Sequence, residues 1–357
     1  MRPRIKFPHR PVRFGEEWIR IGGIVRGIAS DIHDPDGWVW ALLEALDGMS
    51  TVDQVVADLV HRYPGRPEEH VREAIDDLVA AGYIDSCDRP IADDNRYSRG
   101  LHLTNWMTRT PDRSPWDIQL EMFRARVTVV GLGGVGATAA LELACSGIGQ
   151  LHCVDYDVVE LSNLNRQVLY TEGDIGRAKS DVAVSRLRLH NSEVQVTGEQ
   201  LYVDGPAVLT RLAAGCDVLV LAADYPSAIR SWTNRACLDT GTAWVHGGYH
   251  GPQVNVGLYR PGTGPCQDCG QVARRLELAA GPRITHWSPG RNLRPSHAAN
   301  AITAGMAGGM VAHAVMSLVT GTPALCVNSE YGLNLATLVD CQRIGLAAPH
   351  PDCPACG

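Results

Sequence analysis

The sequence has no long run of basic residues, no apolar stretch behind its basic amino terminus, no internal repeat and no polar, low-complexity profile. Each absence removes a class of function. With 32 Lys plus Arg against 39 Asp plus Glu, a formal charge of −7, any duplex-binding surface would have to be local, so nucleic acid is not expected as a main partner. Arg2, Arg4, Lys6, Arg10 and Arg13 crowd the first residues, but no small-residue cleavage site comes after them, so we read no secretion signal and expect a cytoplasmic protein. Eleven cysteines without an export signal argue against a disulfide framework and direct attention to their spacing. Residues 301–321 are uncharged over about the 20 residues that span a bilayer. Thr303, His313, Ser317 and several glycines interrupt them and no basic anchors flank them, so we expect a buried helix and no membrane partner. At 45% hydrophobic and 20% charged, 357 residues suit two or three globular domains of about 100 to 200 residues each.

The first stretch reads as a small α+β unit. Residues 17–28 hold short β-prone runs around Gly22-Gly23, the signal for a hairpin. Helical spacing comes next in three sets: Trp38, Leu42, Leu43 and Leu46; Val55, Val56, Leu59 and Val60; and Val71, Ala74, Ile75, Leu78 and Val79. Residues 87–95 turn polar, as an exposed connector would. Beyond an arm at residues 96–122, strand-like runs alternate with amphipathic helices, the pattern of a mostly parallel sheet covered by helices. Strands are expected at 127–130, 150–154, 194–198, 218–222 and 243–246.

Val127-Thr128-Val129-Val130 runs into Gly131-Leu132-Gly133-Gly134-Val135-Gly136 and then a helix beginning near Ala137. Gly131 allows the tight turn, Gly133 lets backbone N–H groups approach phosphate, and Gly136 lets helix and strand pack closely. Asp155, at the end of the next strand, suits ribose hydroxyls. The residues from there to Lys179 are unlike a nicotinamide dehydrogenase: Asp155-Tyr156-Asp157, then Ser162-Asn163-Leu164-Asn165-Arg166-Gln167, then Gly176-Arg177-Ala178-Lys179.

This series resembles the ubiquitin-activating-enzyme superfamily, the ThiF-like adenylyltransferases, from about residue 96 to residue 357. The resemblance implies a Rossmann-like α/β adenylation domain in which Asp155 binds ribose and Asn163, Arg166 and Lys179 contact the triphosphate of ATP. It further implies that Asp224 holds Mg²⁺, and that Arg99, in Arg96-Tyr97-Ser98-Arg99, reaches the phosphates of a partner subunit in a homodimer. Here Asp224 is followed by Tyr225-Pro226 and Arg99 by Gly100, departures that bear on the substrate side of the pocket.

Cys266-x-x-Cys269 and Cys353-x-x-Cys356 suit a closed, tetrahedral structural Zn²⁺ site, and paired knuckles are common in the same superfamily. Cys87, Cys145, Cys153, Cys216, Cys237, Cys326 and Cys341 mostly sit in apolar contexts and are expected to be buried free thiols. Relatives that proceed to a thioester or persulfide carry a reactive cysteine after the first knuckle. Residues 270–325 contain none, which favours capture of the adenylate by the substrate itself. His286, Trp287, Arg291, Arg294 and His297 fall in that segment and would suit a peptide carboxylate.

A hairpin plus three helices before such a domain resembles the winged-helix-like (PqqD-like) elements that hold leader peptides in ribosomal peptide biosynthesis, with Arg20 and Arg26 placed to face an acidic leader or simply solvated. The expectation is therefore a leader-binding domain at 1–90, a linker and dimer arm at 91–122 and an adenylation domain at 123–357. Together they would form an ATP-dependent adenylyltransferase activating a carboxyl or amide group of a precursor peptide. The alternatives are an adenylyltransferase for a small sulfur-carrier protein and a non-catalytic leader-binding scaffold.

Overall fold

The computed structural model describes residues 1–86, 96–282, 298–338 and 341–356, and the chain divides into two compact units at Leu120/Glu121. The connector at 87–95 and the cluster from His286 to His297 lie outside the described residues.

The first unit contains β1 (Pro3–Ile5), β2 (Val12–Phe14), β3 (Trp18–Ile21), β4 (Ser30–His33), α1 (Trp38–Ala45), α2 (Val52–Arg62), α3 (Glu68–Ala80), β5 (Ile84–Ser86) and α4 (Ser98–Met107). Its last helix, α5 (Pro115–Arg124), runs across the division. Strands β2, β3 and β4 form an antiparallel sheet, and β1 pairs with β5. The helical faces read from periodicity are the ones that pack: Leu42 and Leu46, Val55 and Leu59, and Val71 and Ile75 enclose Ile19 and Ile21 of β3. Thr51 begins α2 with a capping box, its hydroxyl accepting from Gln54 N and the Gln54 side chain accepting from Thr51 N.

The hairpin departs from expectation. Gly22, Gly23 and Gly27 hold φ of +92°, +69° and +82°, which curls residues 22–29 into a loop, leaves Ile24 89% exposed and defers the return strand to β4. Arg20, read as facing an acidic leader or as a solvated strand charge, donates to both carboxylate oxygens of Asp31 at 2.6 and 2.8 Å across that pair.

The second unit runs β6 (Arg126–Val130), α6 (Gly134–Cys145), β7 (Gln150–Val154), α7 (Lys179–His190), β8 (Gln195–Glu199), α8 (Pro206–Ala214), β9 (Val218–Leu221) and α9 (Ile229–Thr240). It continues through β10 (Ala243–His250), β11 (Gln253–Tyr259), α10 (Gln267–Ala280), α11 (Ala301–Thr320), β12 (Ser329–Asn334) and β13 (Cys341–Ile344). The sheet order is β13-β12-β11-β10-β9-β6-β7-β8. The five strands from β10 to β8 are parallel, and β11 to β13 add an antiparallel flank not expected from the sequence. Central strands buried on both faces explain runs such as Val127 to Val130.

Helix α6 is apolar around most of its circumference and is correspondingly buried, with α11 against it. The contact needs small residues: a Cβ on Gly308 would meet Thr138 Cβ at 2.6 Å, and one on Gly134 would meet Ala304 Cβ at 2.7 Å. α11 is long and apolar enough to cross a membrane by length and composition, yet half of that stretch is buried against α6, β10 and β11. Asn300 caps it, accepting from Thr303 N at 2.9 Å. Cys153, Cys216 and Cys237 are buried as expected, whereas Cys145 and Cys326 are exposed because each ends or follows an element at the surface.

Candidate active site

Chain order makes the crevice. From β6 the chain winds outward through β7 and β8, then returns to place β9 on the other side of β6. Ligands of open α/β sheets bind at such a reversal, beyond the carboxyl ends of the strands. A cleft of about 270 Å³ lies there, lined by the residues that come after β6 (Gly131, Gly133), β7 (Asp155 to Asp157) and β9 (Ala222 to Tyr225).

The glycines have separate jobs. Gly131 holds φ +92°, and a Cβ on it would meet the Ala222 carbonyl carbon and oxygen at 2.7 Å, so strands β6 and β9 diverge around a bare backbone. A Cβ on Gly136 would collide with Gly131 O, which accounts for the close approach of helix to strand. Gly131 and Gly133 line the cleft, while Gly134 and Gly136 are buried in α6.

Asp155 is built into the floor. Its Oδ2 accepts from Leu132 N at 2.6 Å and its Oδ1 from Asp157 N at 2.8 Å. Burial raises its pKa, opposed by the charge of Lys179 and by those two N–H groups. Lys179 opens α7 with its side chain 5% exposed, and its Nζ donates to Asp157 Oδ2 at 2.9 Å. Asn163 sits in a 3₁₀ turn over residues 161–163, where its Oδ1 accepts from Glu160 N at 3.1 Å. Arg166 is steered by Ser162 O at 3.0 Å and Asn165 Oδ1 at 2.9 Å, which leaves its outer guanidinium edge at the cleft. Asp224 lines the opposite wall. Thus Gly131, Gly133, Asp155, Asn163, Arg166, Lys179 and Asp224 converge on one cleft. Arg99 lies on α4 in the first unit, a different compact body from the one that carries the cleft.

Sequence reasoning assigned no role to three tyrosines and a glutamine, though it noted Tyr225 as a departure on the substrate side. Tyr156, Tyr202 and Tyr225 line the rim, 46%, 43% and 65% exposed, with the rings of Tyr156 and Tyr202 edge to face at 5.0 Å. Nothing local marks Tyr202, since the fold alone brings residues 201–203 to the mouth. Gln167 lines the cleft and is buried, with Oε1 lacking any hydrogen-bond partner. Its position in the Asn-Arg-Gln run was the available signal.

The four knuckle cysteines meet on the same unit. Their Sγ atoms all lie within 4.8 Å of one another, with Cys266 to Cys353 at 3.6 Å and Cys266 to Cys269 at 3.8 Å. Sulfurs about 2.3 Å from a central zinc stand roughly 3.8 Å apart in a tetrahedron, so the set is compatible with Zn²⁺. Asn234 Nδ2 donates to Cys266 Sγ and His350 N to Cys269 Sγ, both at 3.4 Å, the outer contacts that orient thiolates.

Comparison with known proteins agrees with this geometry. The chain is 39% identical over 150 residues to the sulfur carrier protein ThiS adenylyltransferase of Escherichia coli K12, covering 42% of this chain and 56% of that one. It is 33% identical over 174 residues to the adenylyltransferase and sulfurtransferase MOCS3 of Arabidopsis thaliana, covering 49% and 35%. The chain thus spans about a third to a half of the length of the curated relatives it matches. Among solved structures, Escherichia coli MccB with ATP superimposes with a TM-score of 0.75 at 22% identity over 99% of both chains. The microcin C7 biosynthetic enzyme MccB in complex with N-formylated MccA gives 0.77 at 22% over the same shares. These likenesses place the fold. The family model of ThiF matches residues 97–355, and the chain belongs to the ThiF family.

Proposed function

We propose that this chain is an ATP-dependent adenylyltransferase that activates a carboxyl or amide oxygen of a ribosomally made precursor peptide, whose leader is held by the first unit. The observation that carries this reading is the convergence of Arg166 and Lys179 with Asp224 around a glycine loop at the switch point of the sheet. The acceptor oxygen would attack the α-phosphorus, forming the acyl O–P bond as the bond to the bridging oxygen breaks and pyrophosphate leaves. Charge gathers on phosphoryl oxygens in that step, so fixed guanidinium and ammonium donors supply the stabilisation and no protein nucleophile is needed. Asp155 would take the ribose hydroxyls with whatever acceptor capacity its two backbone partners leave. The rim tyrosines would offer faces and edges to the base.

Asp224 presents a carboxylate on the wall of the cleft, the hard oxygen donor that suits Mg²⁺ shared with substrate phosphates; the ion would neutralise phosphate charge there. Cys266, Cys269, Cys353 and Cys356 would hold Zn²⁺ in a structural role. Arg99 would act across a homodimer, from the arm of one subunit to the cleft of the other, and an ATP-consuming enzyme of this kind would work in the cytoplasm.

Peptide as the acceptor is supported by the likeness of the whole chain to MccB, which has been solved with MccA peptides, and by the lack of cysteine in residues 270–325. In the first unit, β2 and β4 each pair on one side only among the described residues, offering edges to which an extended leader could add. The likeness to ThiS adenylyltransferase favours a sulfur-carrier protein as the second reading. Pyrophosphate exchange separates them. Exchange that depends on a free-carboxyl peptide supports the proposal, exchange that depends on a carrier ending in Gly-Gly supports the alternative, and exchange with neither refutes both.

A further inference from the structure

One transverse row of residues crosses the sheet. Val154 pairs with Val130, Val130 with Leu221, Leu221 with His246, His246 with Gly257 and Gly257 with Glu330. The first three are the strand ends beneath the nucleotide cleft; the last three continue the same end of the sheet outward. Gly257 leaves a gap through which His246 reaches over β11, for a Cβ there would collide with His246 Nε2. That nitrogen stands 3.2 Å from Glu330 Oε1, and the Tyr259 hydroxyl donates to the same oxygen at 3.1 Å. Tyr259 is fixed in turn by stacking on Trp244 at 5.0 Å.

Burying an imidazole this way is costly. His246 is 1% exposed, and neither of its ring nitrogens has a partner in hydrogen-bonding alignment. Glu330, by contrast, keeps 31% of its side chain exposed. Burial favours the neutral form of His246, and Glu330, beside His246, the Tyr259 hydroxyl and the charge of Arg230, is held down at about 2. Arg230, near the start of α9, contributes positive potential to this neighbourhood and forms no ion pair with a described residue.

The geometry points to Glu330 as a specificity-determining residue of the acceptor side, taking a hydrogen bond from an N–H-bearing side chain of the acceptor, with His246 and Tyr259 as its positioning residues. This rests on the reading of the cleft as an adenylylation site. Three strand steps of about 4.8 Å put Glu330 roughly 14 Å from Leu221, a span that about four residues of extended chain cover. With the activated carbonyl over the Leu221 end of β9, the donor, an ammonium or a carboxamide, would belong about four residues before it.

Octapeptides with free carboxyl termini, identical except for Lys, Gln or Met at the fourth or fifth residue from the end, test this as acceptors in pyrophosphate exchange. The wild-type protein should favour Lys or Gln over Met by about tenfold in acceptor KM. Preference for Lys alone identifies an ammonium, and preference for both admits a carboxamide. Glu330→Gln should reduce the Lys preference about tenfold, and Tyr259→Phe should weaken it, with ATP KM unchanged in both. Absence of the preference in the wild type, its survival in Glu330→Gln, or an equal loss of ATP affinity overturns the inference. Should no peptide support exchange, the peptide-acceptor reading fails by itself. Fluorescence polarisation with labelled Lys and Met peptides then decides the Glu330 site: preferential binding of Lys supports it and equal binding overturns it.

Discussion

Lys179 donates to Asp157 Oδ2 at 2.9 Å while its own side chain is almost wholly buried, so the direction of the ammonium at the cleft is fixed. The carboxylate partner is 44% exposed and free to give way to a stronger anion.

Lys179→Ala is accordingly expected to lower pyrophosphate exchange by at least about 100-fold. Leader-peptide affinity, assigned to the first unit, should change less than about twofold. Exchange kinetics and a peptide-binding titration on the same preparation check both halves. Loss of peptide binding together with exchange would count against the division of labour between the two units.

Asp155→Ala leaves Leu132 N and Asp157 N without their acceptor. Leaving a buried donor unpaired costs roughly 1 to 3 kcal/mol, and the bond from Leu132 N is the buried one, so unfolding by urea should show a loss of about 1 kcal/mol or more, accompanied by weaker ATP binding in calorimetry. Asp155→Asn keeps one oxygen and should lose less. Gly136→Ala should fail more severely than either, because its methyl group has only the backbone of Gly131 to displace.

Elemental analysis should find one zinc per chain, bound by thiolates. Cys269→Ser, or stripping with a strong chelator, should lower the melting temperature by several degrees. Nucleotide binding should survive better than thermal stability, since none of the four cysteines lines the cleft. Metal-free protein of undiminished stability would show that the four thiols are not a structural site.

Lys6 supplies a pH test of the first unit. It is buried, its Nζ donates to Thr108 O, and burial pushes its pKa down from 10.5 to about 8. Between those values the unfolded chain binds more protons than the folded one, so stability should rise with pH across the window from about 8 to 10.5. The gain is on the order of 3 kcal/mol at about 1.4 kcal/mol per unit. Lys6→Met should flatten that rise in denaturation curves taken at pH 7.5, 9 and 10.5. An unaltered slope in the variant would assign it to other groups.

The parallel half of the sheet and the glycine loop were legible because both are local: runs of β-branched residues and a Gly-x-Gly-Gly-x-Gly turn carry their own signal. Observed strands at Gln150–Val154 and Val218–Leu221 lie within a residue of the expected ones. The antiparallel flank was not legible. β11 is interrupted by Gly257 and β12 by Gly332, and only pairing with neighbours makes either a strand. At the cleft, Arg166, Lys179 and Asp224 could be chosen from their motif. Tyr202 could not, because its place is set by where β8 releases the chain. The exposed Cys145 shows the same limit: an apolar sequence context does not say which face of a helix end meets solvent.

The crossing of Gly131 beneath Ala222 sets terms for how this pocket can diversify. Its base is main chain lying on main chain, which no side-chain replacement can reshape without pushing the two strands apart. The entrance is different in kind: Tyr156, Tyr202 and Tyr225 are exposed side chains there, so an exchange at any of them would leave that crossing in place.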